Sequence, residues 1–403
     1  MDSETMQPGR KNTSKEPSSK AVPFYHDPKK RAILFQLFTM LMLALLAFYL
    51  LSNTLNNLEK QSIATGIGFL QKEAAFEIGE SAIEYSAADT YGRALVVGFI
   101  NTLIVSFIGI IITIVLGTLI GIARLSTNWL VSKLAAIYIE VLQDIPVLLQ
   151  LFFWYAFFYN ILPAPRQALS PITGVFLSNR GLVFAIPESH PVFKYMGLAA
   201  ILACVVIYIL RGWAGTRQAK TGQPFPVFKV SLAIFIGFPL LTWAFGGAPM
   251  AMNVPALKGF NFKGGLNISP EFTALLLGLI LYTAAYVAEV VRAGIQSVNK
   301  GQSEAAMSLG LRPGLVLNLV ILPQALRVII PPLTSQMLNL TKNSSLAVAI
   351  GYPDFVSVAG TTINQTGQAI EGVALMMIVY LTLSLLTSAF MNWYNKKTKL
   401  VER

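Results

Sequence analysis

Eight long apolar runs leave this chain few ways to fold. They lie at about 32–51, 93–123, 133–159, 195–210, 227–245, 271–291, 328–350 and 372–394. Roughly 20 residues of helix cross the ~30 Å hydrocarbon core of a bilayer. Inside that core a helix satisfies every backbone N–H and C=O within one segment, which an open strand cannot do. The pattern predicts an all-α polytopic membrane protein with eight transmembrane helices. Charged residues make up 12% of the chain against 54% apolar, far from the balance of a soluble domain. Little length remains for a separate enzyme domain.

The net charge of +11 could suggest a nucleic-acid partner, but the Lys and Arg residues flank apolar runs and set membrane orientation instead. Residues 1–31 carry seven basic and four acidic side chains and read as a disordered basic cytoplasmic tail. The 32–51 run is longer than the h-region of a cleaved leader and no small-x-small site follows it, so it reads as a retained accessory span. With the amino terminus inside, 21 of the 30 basic residues fall on the inner side and ten of the 19 acidic residues on the outer. Both termini are then cytoplasmic, residues 52–92 form an acidic segment on the outer side, and residues 302–323 face the cytoplasm.

Metal and thiol chemistry find little material. Cys204 is the single cysteine, so no intramolecular disulfide or thiolate cluster can form. His26 and His190 both lie outside the predicted spans. Four ionisable side chains fall within or at the edge of spans: Glu140, Asp144, Glu289 and Lys342. At a helix centre each costs on the order of 2.5–3.5 kcal/mol, so each should face protein or water. Glu289 precedes Arg292 by three residues, the spacing of a local helical ion pair. Glu140 and Asp144 are four apart on one helical face and repel unless a cation is near. Lys342, with Asn343 and Ser344 in the polar run 341–345, is the candidate. Two readings stand: a polar cavity on the path of a charged or zwitterionic solute, or a structural ion pair.

Residues 302–323 are a partly polar break between spans. Ser303 can cap a short helix with Glu304 just inside it, Gly310 can close that helix in a left-handed conformation, and Pro313 suits the first position of the next. Ala305 and Ala306 leave one side low enough for another surface to approach, and Met307 and Leu309 can fill a partner's groove. The chain has no Gly-x-x-x-x-Gly-Lys-Ser/Thr phosphate loop, no G-x-S-x-G elbow and no H-E-x-x-H helix. If ATP drives this protein, hydrolysis belongs to another polypeptide and a cytoplasmic loop must receive its motion.

That loop resembles the signature of bacterial ATP-binding-cassette importer permeases: E-A-A, three residues, G, nine residues, I-x-L-P. Glu304, Ala305, Ala306, Gly310, Leu322 and Pro323 stand at those offsets, with Val320 for the isoleucine. Glu73, Ala74, Ala75 and Gly79 also satisfy the short half of the motif but lack the downstream L-P, so the long spacing carries the resemblance. The stretches 285–302, 340–346 and Gly98 to Leu103 are similar to polar amino-acid importer permeases. One departure is that members often read E-V-x-R-G-T-P where this chain has Glu140, Val141, Leu142, Gln143, Asp144, Ile145 and Pro146.

The resemblance implies a type I importer permease core of five helices, drawn from residues 93–159 and 271–394, with three accessory helices. Residues 160–270 read as an insertion carrying two of them, 297–323 as the coupling loop and 395–403 as a cytoplasmic tail. A length near 400 residues looks like the longer permeases of general L-amino-acid importers. Such a chain would sit in the bacterial inner membrane and work by alternating access. Its implied partners are a second homologous permease, an ATPase dimer that uses ATP and Mg, a periplasmic amino-acid-binding protein and membrane lipid. It would bind no cofactor itself and would not be an enzyme. A secondary transporter or channel for small polar solutes is the rival class, but it needs no docking loop and should show inverted repeats.

Overall fold

A computed structural model describes residues 28–60 and 66–398; most of the basic tail and the last residues of 395–403 lie outside them. The chain divides into two units at residue 66. Of the first, the described part is one helix, α1 (Pro28–Lys60), apolar and exposed all round from residue 32 to 51, as a helix surrounded by lipid is.

The second unit opens with a 3-10 turn at Ile67–Gln71 and irregular chain, then α2 (Tyr91–Arg124), capped by Thr90. Next come α3 (Trp129–Asp144) and α4 (Val147–Ile161). The apolar run expected at 133–159 as the third span holds two helices: α3 and α4 meet at a 104° bend. Pro146 is the cause. It has no N–H to give and disfavours helical geometry in the residue before it, and Ile145 is extended at φ −91°, ψ 124°. Seven further helices are long and apolar enough to cross a membrane, and the bent pair, counted as one, makes eight.

Between α4 and the rest of the core, residues 160–270 hold more than two helices. Strands β1 (Leu169–Ile172), β2 (Val175–Ser178), β3 (Gly181–Phe184) and β4 (Ile186–Pro187) precede α5 (Pro191–Thr221) and α6 (Val227–Phe245). Strands β5 (Met252–Asn253), β6 (Ala256–Lys258), β7 (Asn261–Lys263) and β8 (Leu266–Ile268) follow. The sheet order β1-β2-β3-β8 is antiparallel throughout and closes the insertion on itself, with Val183 paired to Asn267. Eight short strands are a feature the all-α expectation did not contain. None exceeds four residues, too short to leave a period-2 pattern.

The chain then runs through α7 (Pro270–Gln296), α8 (Lys300–Ser308), α9 (Pro313–Val316), α10 (Leu322–Asn343), α11 (Phe355–Thr366) and α12 (Ala369–Thr398). The seventh span thus begins earlier than the expected residue 328. Helix α7 is the hub, touching α2, α3, α4 and α10. Its contact with α2 is set by two glycines: a Cβ at residue 117 would lie 2.6 Å from Val287 Cβ, and one at 121 the same distance from the Ala288 carbonyl. Lipid is as apolar as Leu, so helices in it associate by close packing of small residues rather than by hydrophobic burial. A cluster with fully buried Leu151, Leu275, Leu279 and Leu340 ties α4, α7 and α10 together.

Gly117→Val should force α2 off α7 and cost about 1–3 kcal/mol, read as a lower melting temperature of the purified protein in detergent. Gly212→Val, where a Cβ meets nothing within 4 Å, should leave the melt unchanged.

Candidate functional site

The 302–323 segment folds as a helix, a stop and a second helix, with two changes from the sequence reading. Helix α8 starts four residues earlier than a Ser303 cap would place it. Asn299 is the cap, its side-chain oxygen accepting from the Gly301 N–H at 2.9 Å, while Ser303 Oγ donates back to the Lys300 carbonyl. Glu304 is therefore in the middle of the helix. Ala305 and Ala306 do not share an open face: Ala306 is 6% exposed, while Ala305 is exposed. The outward face carries Glu304, Ala305, Met307 and Leu309, and Leu309 at 82% exposure is the most prominent apolar group on it.

Gly310 ends the helix at φ +80°. Its N–H donates to the Met307 carbonyl at 2.9 Å and the Leu311 N–H to Ala306 at 3.3 Å, the paired bonds of a Schellman stop. Pro313 occupies the first position of α9, where its missing N–H is harmless. Leu322 and Pro323 lie further along the same helical path, just after a π-turn at Leu317–Ile321. Pro323 cannot donate to the carbonyl one turn before it, and the widened turn makes room for its ring. Gln324 Nε2 takes up the Val320 carbonyl at 3.0 Å.

Among the membrane-embedded charges, Glu289 pairs with Arg292 three residues on, the expected local pair. Glu140, Asp144 and Lys342 are all exposed, and no ion pair joins Lys342 to either carboxylate among the described residues. The structure thus does not form the pairing that the sequence suggested, because a spacing of four on one helix says nothing about which distant segment faces it. Asn343 is half-buried, and Ser344 is fully buried with Oγ donating to the Thr341 carbonyl, so it opens onto no solute path in this state.

What surrounds Glu140 and Asp144 is the broken helix. Gln150 reaches back across the bend to the Leu142 and Ile145 carbonyls at 3.0 and 2.9 Å. Gln143 donates to the Ala285 carbonyl and Tyr138 to Leu281, fixing α3 against α7. No side chain caps α4. An uncapped helix start inside a membrane protein presents N–H groups and a positive dipole end, next to two carboxylates.

A second polar centre was missed. Asp354 is fully buried and caps α11, accepting from the Ser357 N–H at 2.9 Å and the Tyr380 hydroxyl at 3.1 Å. Asn101 Nδ2 donates to both the Glu80 and Pro353 carbonyls at 2.9 Å, and Thr102 Oγ1 accepts from the Phe355 N–H at 3.0 Å. Gly98 lets this turn approach: a Cβ there would stand 3.0 Å from the Asp354 carbonyl. Burial lifts the Asp354 carboxyl from its ordinary 3.8 to about 6, against the hydrogen bonds from Ser357, Val356 and Tyr380. Burial also raises Glu80, which accepts from Ser269 Oγ. The run Gly98 to Leu103 was visible in the sequence, but its partner 250 residues away was not.

The long E-A-A motif sits on an exposed helix that follows α7, the helix most of the bundle packs against. A family model described as "Binding-protein-dependent transport system inner membrane component" matches residues 113–400. The chain belongs to this family. It is 50% identical over 378 residues, 94% of each chain, to the general L-amino acid transport system permease protein AapQ of Rhizobium johnstonii. It is equally identical over 381 residues, 94% of this chain and 97% of the other, to the putative amino-acid ABC transporter permease YhdX of Escherichia coli K12. Against the glutamate/glutamine/aspartate/asparagine transport system permease BztB of Rhodobacter capsulatus, identity is 39% over 411 residues, covering 94% and 96%. The resemblance read from the coupling loop, to amino-acid ABC importer permeases of about 400 residues, holds. As a binding-protein-dependent inner membrane component, the chain is a multi-pass transport permease and not itself an enzyme.

The family match runs over residues 113–400 and so takes in both 160–270 and 302–323. Among the described residues no three His, Cys, Asp or Glu side chains group as metal ligands, and His190 serves α5 by accepting from the Val192 N–H.

Two outcomes follow for this family member. Gly310→Val places a β-branched residue at positive φ, costing at least about 1–2 kcal/mol; transport should fall roughly tenfold at normal membrane levels, while Gly310→Asn, which tolerates this conformation, should keep most of it. For Asp354 the folded pKa lies above the unfolded one, so between pH about 4 and about 6 the folded state holds more protons. Stability should fall as pH rises through that window, by roughly 3 kcal/mol in all. Melting curves against pH should show the slope in the wild type and a flatter profile in Asp354→Asn.

Proposed function

We propose that this chain translocates L-amino acids across the bacterial inner membrane as one permease of an ATP-driven importer, with both termini in the cytoplasm. The carrying observation is α8: a short helix with an exposed Leu309 and Met307, ended by a Schellman stop and connected to α7 through three residues. An ATPase groove that receives the face around Glu304, Ala305 and Leu309 would move α7, and with it every helix packed on α7. That is rigid-body switching of a bundle between two openings, driven through one contact. The names of the relatives, one for general L-amino acids and one for four acidic and amide amino acids, support the substrate class.

In this reading a second homologous permease completes the pathway, an ATPase dimer that uses ATP and Mg lies beneath, and a periplasmic amino-acid-binding protein delivers the solute above. The chain itself holds no cofactor. The bend between α3 and α4 lines the path: Asp144 and Glu140 suit the α-ammonium group, and the uncapped N–H groups of α4 suit the α-carboxylate. Lys342 and Asn343, on the last turn of α10, would enter the path in another state of the cycle, and Ser344 with them if the turn opens.

Uptake into proteoliposomes containing the complete transporter, with unlabelled amino acids as competitors, tests this. Asp144→Asn should raise the substrate concentration for half-maximal uptake roughly tenfold, the value of one charge-assisted contact. Glu304→Lys should abolish uptake while the chain stays in the membrane. Uptake unaltered in both variants, or unaffected by any competing amino acid, would refute the proposal.

A further inference from the structure

The α5–α6 hairpin is the part of the fold with no role so far. These helices pack on each other, and neither makes an extensive contact with another described element, so most of their surface is free to meet lipid. Residues 189–270 contain seven Lys and Arg and no Asp or Glu. Helix α5 has 31 residues, about 46 Å of helix, against a hydrocarbon core of ~30 Å. In the topology read from the basic residues, the turn after α5 lies on the inner side, the same side as residues 302–323. The surplus is all at that end. Through Leu210 the helix has one charge, Lys194, and from Arg211 onward it turns polar.

At this tip Arg211, Lys220 and Lys229 are exposed. Arg217 stands over the ring of Trp213 at 5.5 Å and that of Phe225 at 5.7 Å, the two rings meeting edge to face at 5.3 Å. No ion pair holds it among the described residues. Two aromatic faces thus hold a guanidinium in place without neutralising it, which leaves its donor fork free for a bidentate anion. Neighbouring Phe228, 79% exposed, needs apolar surroundings. A headgroup supplies the anion and its acyl chains supply the rest.

We propose that the tip of the α5–α6 hairpin is a binding site for the phosphodiester headgroup of an anionic phospholipid, with Arg217 as the central contact and Arg211, Lys220 and Lys229 around it. Phosphate in solution lacks the apolar part that Phe228 and Trp213 call for. An acidic protein partner would need the four charges but not the aromatic collar. The site lets the inserted hairpin, which the sheet ties at its other end, grip the bilayer at the face where α8 works.

The test uses the complete transporter in phosphatidylcholine vesicles with trace spin-labelled phosphatidylglycerol or spin-labelled phosphatidylcholine, comparing the immobilised fraction of each. It does not depend on which solute is carried. Wild type should prefer the anionic label, and Arg217→Gln should lower that preference roughly fivefold. The quadruple variant R211Q/R217Q/K220Q/K229Q should remove it, and Lys258→Gln with Lys263→Gln, on β6 and β7, should leave it intact. Excess inorganic phosphate at constant ionic strength should not compete. The proposal falls if wild type shows no preference, if the strand variant loses as much as the tip variant, or if phosphate displaces the label. It also falls if the tip variant keeps its lipid preference and instead loses a protein subunit. Should the quadruple variant fail to insert, Arg217→Gln and Trp213→Leu decide alone, each expected to weaken the preference.

Discussion

The close approach of α2 to α7 is what the rest of the second unit is hung on. Two helices in lipid gain nothing from hiding Leu from water, because there is no water to hide it from. They gain contact only where side chains are small enough to admit the neighbour's backbone, and Gly117 and Gly121 admit Val287, Ala288 and Val291. The same device recurs around α7, with Gly278 against Leu151 of α4 and Gly294 against Ile329 of α10. Each neighbour is therefore seated on one helix, and that helix leads into α8 with Ser297, Val298 and Asn299 between. The Ser297 N–H still donates to the Ala293 carbonyl, carrying the α7 hydrogen-bond pattern one residue past its end. In the proposed cycle, α7 would carry a displacement of α8 into the helices packed on it.

The broken α3–α4 element shows the opposite economy. A helix interrupted in an apolar setting leaves carbonyls and N–H groups that cost several kcal/mol each if nothing meets them. The carbonyl side is satisfied internally, by Gln150 reaching Leu142 and Ile145. The N–H side of α4 has no side-chain cap, and two carboxylates stand just before it. One end of the break is closed and the other is left for something else to fill. The Asp354 centre, by contrast, is complete: its carboxylate, the Asn101 amide and the Thr102 hydroxyl all have partners, which tie Glu80, α2 and α12 to the start of α11.

Local signals in the sequence suffice where one segment decides the outcome. Run length found the spans, Gly310 and Pro313 found the stop and restart of the coupling segment, and Glu289 with Arg292 found its own pair. Errors came where two signals competed or where the partner was remote. Asn299 and Ser303 are both good caps, and the chain uses the earlier one. Pro146 sits inside an apolar run, and hydropathy outvoted it although its backbone effect is the stronger. Opposite charge makes Lys342 a candidate partner for Glu140 and Asp144, yet facing is fixed by tertiary packing that periodicity on one helix does not encode. Strands of two to four residues and the 250-residue link from Asn101 to Pro353 left no sequence pattern at all.

The insertion sharpens the same point about where information lies. It separates α4 from α7 by more than 100 residues, yet these helices pack as if adjacent, through Leu151 and Gly278. That is possible because β3 and β8 bring its two flanks together, Leu182 beside Ile268, so the core sees a short connection whatever hangs from it. Gly181 marks how tight the closure is, at φ +111° with the Ile268 carbonyl where a Cβ would go. A hairpin held at one end by a sheet can be long without disturbing the bundle. Its far end is then free to take its position from the bilayer, and a charge pattern of one sign is the means the sequence provides.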